Sequence, residues 1–151
     1  MEQLLANKLY EFILRNNPDL LIRESDIGIN DIIHTKIKNA TPLLESLLVQ
    51  NCPDFIIVEM CMDQMTEDLK PSKYHYIVHV LEEEFPDRYS KMRDAGMLTY
   101  EITNIISRCA EVFEKFQFSK YNEEDRKLYY AVTGTIDEYF SETVNRSTRG
   151  L

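Results

Sequence analysis

The sequence predicts an all-α protein, a single domain built as an irregular bundle of six to seven helices. Apolar residues recur at intervals of three and four along almost the whole chain, the spacing of amphipathic helices. The composition, 44% apolar with four Gly and five Pro, excludes a disordered or low-complexity chain. A chain of 151 residues suits one compact domain. We expect this domain to span residues 1–146, with residues 147–151 as a frayed C-terminal tail.

Four helices are predicted in the first half. The first ends before Pro18, and the second begins after a cap at Ser25 or Asp26. Thr41 and Pro42, as a cap and a first helical residue, predict the start of a third. Their apolar stripes are Leu5, Leu9, Phe12 and Ile13, then Ile29, Ile32, Ile33 and Ile37, then Leu44, Leu47 and Leu48. The segment 55–65 is predicted as a fourth helix rather than a buried strand, because Met, Glu and Gln favour helices.

The second half predicts the clearest helices. Ser72 is the predicted N-cap of a helix that Pro86 breaks, and a further helix over 87–94 stops at Gly96. From Thr99 an apolar face runs for four turns: Ile102, Ile105, Ile106, Cys109, Val112, Phe113 and Phe116.

The last helix is predicted to begin with a capping box. Asn122 and Asp125 have the required spacing of three residues. Its apolar face comprises Leu128, Val132, Ile136, Tyr139 and Phe140. Gly134 lies within this helix, and we interpret it as a point of close approach between helices.

Charge and cysteine usage exclude several functions. The net charge of −9, from 26 Asp and Glu against 17 Lys and Arg, argues against direct nucleic-acid binding. The N-terminus lacks the features of a secretory signal, and no run of about 18 apolar residues predicts a membrane span, so we expect a cytoplasmic protein. Cys52, Cys61 and Cys109 have no metal or redox spacing and are predicted to be inert thiols. No cofactor is expected.

One pair of histidines has the spacing of a metal site. His75 and His79 lie one helical turn apart, and Glu83 could add a carboxylate ligand. However, Tyr76 stands where a zincin motif has its catalytic glutamate. We interpret the pair as part of a solvated helix flank and keep a metal-dependent enzyme as the weaker alternative.

The strongest asymmetry of the sequence is its acidic middle segment. Between Lys38 and Lys70 there is no Lys or Arg. The candidate interaction residues are the six carboxylates of this stretch: Glu45, Asp54, Glu59, Asp63, Glu67 and Asp68. With the interleaved methionines they could form an adaptable binding surface. If they cluster on one exposed face without Lys or Arg, the alternative is an acidic DNA mimic, an anti-restriction-type inhibitor of a basic host protein.

Three phrases and one shorter segment of the sequence resemble one protein family. Residues 12–20, Phe-Ile-Leu-Arg-Asn-Asn-Pro-Asp-Leu, are similar to its opening phrase, Phe-Leu-Arg-Glu-Ser-His-Pro-Glu-Leu. The remaining matches are Ser72-Lys-Tyr74 with Leu81 and Glu84-Phe85, Cys109 with Val112-Phe113, and Leu128-Tyr129 with Thr133-Gly-Thr-Ile136 and Tyr139. The family is a domain of unknown function seen mainly in Bacteroidetes, often among conjugative-transposon genes. The resemblance implies an all-helical fold and transfers no catalytic residue.

These observations predict a non-enzymatic protein–protein interaction module, serving a mobile genetic element. The partner is a protein that the sequence does not identify. A homodimer is a further expectation, with Leu4, Leu5 and Leu9 of the first helix as its candidate surface.

Overall fold

A computed structural model describes residues 1–24 and 26–149, without the side chains of residue 26 and residues 144–149. The described residues form nine α-helices and one 3₁₀-helix and contain no strand, which confirms the all-α class. The contacts divide the chain into two packing units, unit 1 (Met1–Lys70) and unit 2 (Pro71–Leu151). The prediction of one domain over residues 1–146 stays a prediction.

Unit 1 contains four α-helices and a short 3₁₀-helix. Their bounds are α1 Glu2–Asn16, α2 Pro18–Arg23, α3 Asp26–Val49, α4 Asp54–Thr66 and the 3₁₀-helix Glu67–Leu69. The predicted end of the first helix is confirmed, but Pro18 also begins α2, which the periodicity did not reveal, because proline suits a first helical position. The helical prediction for 55–65 is confirmed. Ser25 and the side chain of Asp26, the two predicted caps, lie outside the described residues.

The predicted helix start at Thr41 and Pro42 is wrong. Helix α3 continues for 24 residues with Pro42 inside it. Buried residues spaced along one stripe explain this continuity, since the core covers the same face before and after the proline: Ile29, Ile33, Ala40, Leu44 and Leu47. Pro42 lies on the opposite, exposed face, where the backbone group that it leaves unbonded can reach water.

The helices of unit 1 have a definite relative direction. Gln64 Nε2 donates to the Asn39 carbonyl at 3.2 Å and Lys36 pairs with Asp68, so α3 and α4 form an antiparallel hairpin. Asn17 Nδ2, just after α1, donates to the Leu69 carbonyl at 3.3 Å, just after α4. Helix α1 therefore runs parallel to α4, and the N-termini of both lie beside the C-terminus of α3.

Unit 2 contains five helices. They are α5 Lys73–Glu84, α6 Pro86–Asp94, α7 Leu98–Arg108, α8 Ala110–Lys115 and α9 Arg126–Arg149. The predicted cap is confirmed, because Ser72 Oγ accepts from the His75 backbone N–H at 3.0 Å. The predicted stops at Pro86 and Gly96 are confirmed as well, and Gly96 has the left-handed φ of 72°.

Two local predictions in unit 2 are wrong. The four-turn helix from Thr99 is divided at Cys109, whose ψ of 3° interrupts the helix so that α8 can direct Phe113 into the core. Asn122 does not cap α9, since its side chain bonds Ser119 and Phe116 in the preceding loop. Asp125 is the cap instead, accepting from the Lys127 N–H at 2.8 Å.

The interpretation of Gly134 as a close-approach residue is also wrong. A Cβ atom placed there meets nothing within 4 Å. Helix α9 extends to Arg149, while Gly150 and Leu151, the end of the predicted tail, lie outside the described residues.

The two units have cores of different chemistry. The buried core of unit 1 is aliphatic, with one thiol and one thioether: Leu5, Leu9, Ile13, Leu20, Ile29, Ile33, Ala40, Leu44, Leu47, Ile57, Cys61 and Met65. The core of unit 2 is lined with aromatic rings. Tyr76, Phe113 and Phe118 stack edge to face or tilted at centroid distances of 4.9–5.9 Å.

Candidate functional site

Exposed apolar side chains are concentrated in unit 1. Fourteen large apolar residues are exposed, and ten of them belong to unit 1: Met1, Leu4, Tyr10, Leu14, Ile22, Ile27, Leu48, Val49, Phe55 and Met60. Unit 2 adds Met97 and three tyrosines, and no Leu, Ile, Val or Phe that the structure describes in it is exposed. Since tyrosine keeps a hydroxyl in water, the two surfaces differ in kind.

Four of these residues share one end of unit 1. Leu4 lies in the first turn of α1, Phe55 in the first turn of α4, and Leu48 and Val49 in the last turn of α3. The helix directions bring these three termini to the same end. The side chains are 44%, 70%, 48% and 82% exposed, respectively. We call this set, Leu4, Leu48, Val49 and Phe55, the apolar end.

A groove lies between α1 and α4. Phe12, Val58 and Met62 supply its apolar lining, and the groove encloses ≈ 380 Å³. Its charged lining mixes both signs: Lys8, Glu11, Arg15, Glu59 and Asp63. At the far end of α1 the Lys70 ammonium lies 5.5 Å from the centre of the Phe12 ring, a cation–π contact.

A second groove lies between α3 and the end of α4. It encloses ≈ 340 Å³ and is polar: Lys36, Asn39, Gln64, Met65, Glu67 and Asp68 line it. Lys36 Nζ lies 2.5 Å from Asp68 Oδ1. This ion pair gives Asp68 a cation that the sequence, in which Lys36 is 32 residues away, could not assign to it.

The six predicted interaction carboxylates are all exposed, and four of them line two different grooves. Glu59 and Asp63 share the α1–α4 groove with Lys8 and Arg15. Glu67 and Asp68 line the second groove. Glu45 and Asp54 lie near the apolar end. The two grooves therefore place cations beside four of the six carboxylates, unlike the cation-free face that a DNA mimic requires.

The predicted metal residues are placed on the surface of α5. His75 and His79 are exposed, and their rings contact tyrosines edge to face, Tyr74 at 5.9 Å and Tyr129 at 6.4 Å between centroids. Within residues 1–24 and 26–149, no three His, Cys, Asp or Glu side chains are placed to share a metal ion. The structure thus brings no third ligand to this pair.

Helix α9 joins two acidic side chains of unit 2 through tyrosines, which the sequence did not single out as sites. Tyr139 OH donates to Glu101 Oε2 at 2.5 Å, and Tyr129 OH donates to Glu84 Oε1 at 2.9 Å. Burial and these hydrogen bonds raise the pKa of each phenol to about 12. The first pair lines an open groove of ≈ 580 Å³ between α7 and α9, in which Arg108 also pairs with Glu142. Because each phenol stays protonated, the pairs tie helices together rather than supplying a base.

The three thiols are free. Cys61 and Cys109 are buried, and burial raises the pKa of Cys109 to about 12, which keeps its thiol protonated and unreactive. Cys52 is half-buried in the turn between α3 and α4, as the most exposed of the three. In the described part of the chain no helix combines the length and hydropathy of a membrane span.

The predicted homodimer surface is only partly exposed. Leu5 and Leu9 are 1% and 0% exposed and belong to the core of unit 1, whereas Leu4 is exposed. Leu4 alone of the three is available for an interface.

Comparison with known proteins identifies one family. A family model described as "Domain of unknown function (DUF1896)" matches residues 8–144. No curated protein and no solved structure matches the chain.

Proposed function

This chain belongs to the family described as Domain of unknown function (DUF1896), and we propose that it is a non-enzymatic protein–protein interaction module whose binding unit is unit 1. The family description carries no chemistry of its own. The proposal therefore depends on the surface of the molecule.

The observation that carries the proposal is the excess of exposed aliphatic residues in unit 1. Val49 and Phe55 are 82% and 70% exposed, and Leu48 and Leu4 are 48% and 44% exposed. Single apolar residues on a surface are ordinary, but a group of them at the termini of three helices is typical of a site that a partner covers. Removing such side chains from water on binding is worth about 25 cal/mol for each Å² of apolar surface.

The surroundings of these residues suit a partner that is also polar. The neighbouring α1–α4 groove has an apolar floor and charges of both signs, like the rim of a protein interface. A catalytic role has less support. Among the described side chains, no hydrogen bond links a histidine ring to a hydroxyl, thiol or carboxylate, as a nucleophile–base pair would require.

The setting that we propose is the cytoplasm of a cell that carries a mobile genetic element. Residues 12–20 and the later phrases resemble a protein family seen mainly in Bacteroidetes, often among conjugative-transposon genes, and this resemblance supports the setting. The acidic charge of −9 supports a protein partner rather than DNA.

A capture experiment tests the proposal. The tagged full-length chain, expressed in a host that carries such an element, is purified beside the double variant Val49→Ser, Phe55→Ser. We expect at least one protein to be retained by the wild type and lost from the variant. The double variant Tyr121→Ser, Tyr130→Ser, which changes two exposed residues of unit 2, is the matched control and should retain it. Retention of the same proteins by all three chains would contradict unit 1 as the binding unit.

A further inference from the structure

We propose that the apolar end of unit 1 docks an amphipathic helix of a partner protein, one whose apolar face is bordered by Lys and Arg. This inference rests on the proposed function and specifies its partner. It combines two observations, the convergence of four exposed apolar side chains and the sign of the charges that surround them.

The convergence follows from the helix directions. The α3–α4 hairpin places Val49 and Phe55 on either side of a four-residue turn, and the parallel α1 adds Leu4 from its first turn. These side chains come from three helices that pack in one core, so their backbones are held together before a partner binds. A preformed surface loses little conformational entropy on binding.

The charges around the apolar end are almost all negative. Within about two turns of it lie Glu2, Glu45, Asp54 and Glu59, all of them exposed. None forms an ion pair with any other described residue. The same stretches, residues 2–8, 42–53 and 54–61, contain a single cation, Lys8. Unit 1 as a whole holds twelve Asp and Glu against six Lys and Arg, a net charge of −6.

This charge pattern selects the occupant. A basic amphipathic helix would bury its apolar residues against the apolar end and place Lys or Arg beside unpaired carboxylates, gaining both affinity and encounter rate. Nucleic acids and anionic lipid surfaces are repelled by the same carboxylates.

A second copy of this chain is a poorer fit. In a twofold dimer the same patch faces itself, so the carboxylates around one apolar end would face those around the other. Like charges directly opposed in an interface cost stability. The dimer expected from the sequence is therefore an outcome that the test must distinguish.

The first experiment uses designed peptides as probes. A labelled helix-forming peptide of about 18 residues carries Leu at i, i+3, i+4 and i+7 and Lys elsewhere on its flanks. Two matched peptides replace every Lys by Glu or scramble the Leu positions. Fluorescence anisotropy with the full-length chain should show binding of the basic amphipathic peptide, weakening as salt rises, and at least about tenfold weaker binding of the other two.

Paired variants locate the site. Val49→Ser with Phe55→Ser should raise the Kd about tenfold or more by removing the apolar anchors, and Glu45→Lys with Asp54→Lys should do the same and flatten the salt dependence. The matched controls are Ile27→Ser and Asp31→Lys, exposed positions near the other end of α3, which should leave the Kd within about twofold. Thermal unfolding of every variant confirms that it is folded.

The contrary results are distinct. Equal binding of the acidic peptide, or equal loss in the controls, overturns the inference. A concentration-dependent dimer in sedimentation velocity that the Val49→Ser, Phe55→Ser variant abolishes assigns the surface to a second copy and overturns it too. If the captured cellular partner depends on unit 1 while the peptides fail these tests, the inference is wrong and the proposed function stands. If capture is independent of unit 1, the proposed function fails.

Discussion

Unit 1 and unit 2 are similar in length but use their apolar residues in opposite ways. Unit 1 packs an aliphatic core and leaves Leu, Ile, Val and Phe side chains in water. Unit 2 contains eight of the nine tyrosines and five of the seven phenylalanines. Its rings fill the spaces between helices, and the exposed large apolar residues among its described side chains are Met97 and tyrosines that still present a hydroxyl.

The difference lies in how much apolar surface each unit buries in its own core. Aromatic side chains bury about 150–250 Å² each. A unit of this size that contains many of them can therefore bury most of its apolar surface in its own core. Unit 1 has three aromatic residues, Tyr10, Phe12 and Phe55, and none is in its buried core. This difference supports the proposed role of unit 1 in recognition, and unit 2 is the more self-contained packing unit.

The largest expected effect tests whether each core belongs to its own unit. Phe113→Ala, at a site 2% exposed, should lower the free energy of unfolding by about 3–5 kcal/mol, and Leu9→Ala by about 2–5 kcal/mol. Amide hydrogen exchange should show lost protection mainly within residues 71–149 for the first and 1–70 for the second. Loss spread evenly over both units in either variant would break the comparison.

Alkaline pH should weaken unit 2 more than unit 1. The pKa of Tyr76, Tyr129 and Tyr139 is raised from 10.0 to about 12, chiefly by burial. The folded state holds the protons of these three phenols more tightly than the unfolded state does. Their contribution to the free energy of unfolding is therefore complete below pH 10 and is lost as the pH rises toward 12. For the buried Tyr76 the loss is about 3 kcal/mol, and it is smaller for the more exposed pair.

Tyrosinate absorbance combined with hydrogen exchange checks this pH dependence. The late-titrating phenols and the loss of protection should both map to unit 2. Ionisation of all tyrosines near pH 10 without any change in protection would contradict it.

Removing the hydroxyl of Tyr76 or of Tyr139 should change the stability of unit 2 in opposite directions. The buried Tyr76 hydroxyl has no hydrogen-bond partner among the described residues, so Tyr76→Phe should stabilise the protein by about 1 kcal/mol. Tyr139→Phe loses the bond to Glu101 and should destabilise it by about 1–2 kcal/mol. Urea unfolding measures both, and the same sign for the two variants would refute the distinction.

The smallest expected effect concerns Gly134, a residue with low helix propensity inside the long helix α9. Gly134→Ala in α9 should stabilise unit 2 by up to about 1 kcal/mol, since its Cβ meets open space. Gly96→Ala is the matched control and should destabilise it, because alanine disfavours the left-handed φ of 72°. A destabilising Gly134→Ala, measured by thermal unfolding, would restore the close-approach interpretation.

Periodicity predicted which faces are buried more reliably than where helices end. The predicted apolar face of α9 is buried at Leu128, Val132, Ile136 and Phe140. Apolar residues at this spacing lie on one side of a helix, and the helix is stable when that side faces the core. The predicted start at Pro42 and the unbroken helix through Cys109 were wrong. A terminus depends on what packs beyond it, and the local residues do not contain that information.

The candidate site was predictable only in part. The acidic stretch and the exposed Leu4 are visible in the sequence, whereas the meeting of Leu4, Val49 and Phe55 is not. Nor could the sequence show that Lys36 neutralises Asp68.

By itself, the sequence determined the all-α class, the register of most buried faces, the cap at Ser72 and the stops at Pro86 and Gly96. These are local properties, decided by side-chain spacing and by the backbone limits of proline and glycine over a few residues. Only the tertiary structure decided that α3 runs through Pro42, that two cores of different chemistry form, and that the exposed apolar residues of three helices converge at one end. Those outcomes depend on helix directions, which are set by contacts between residues far apart in the chain.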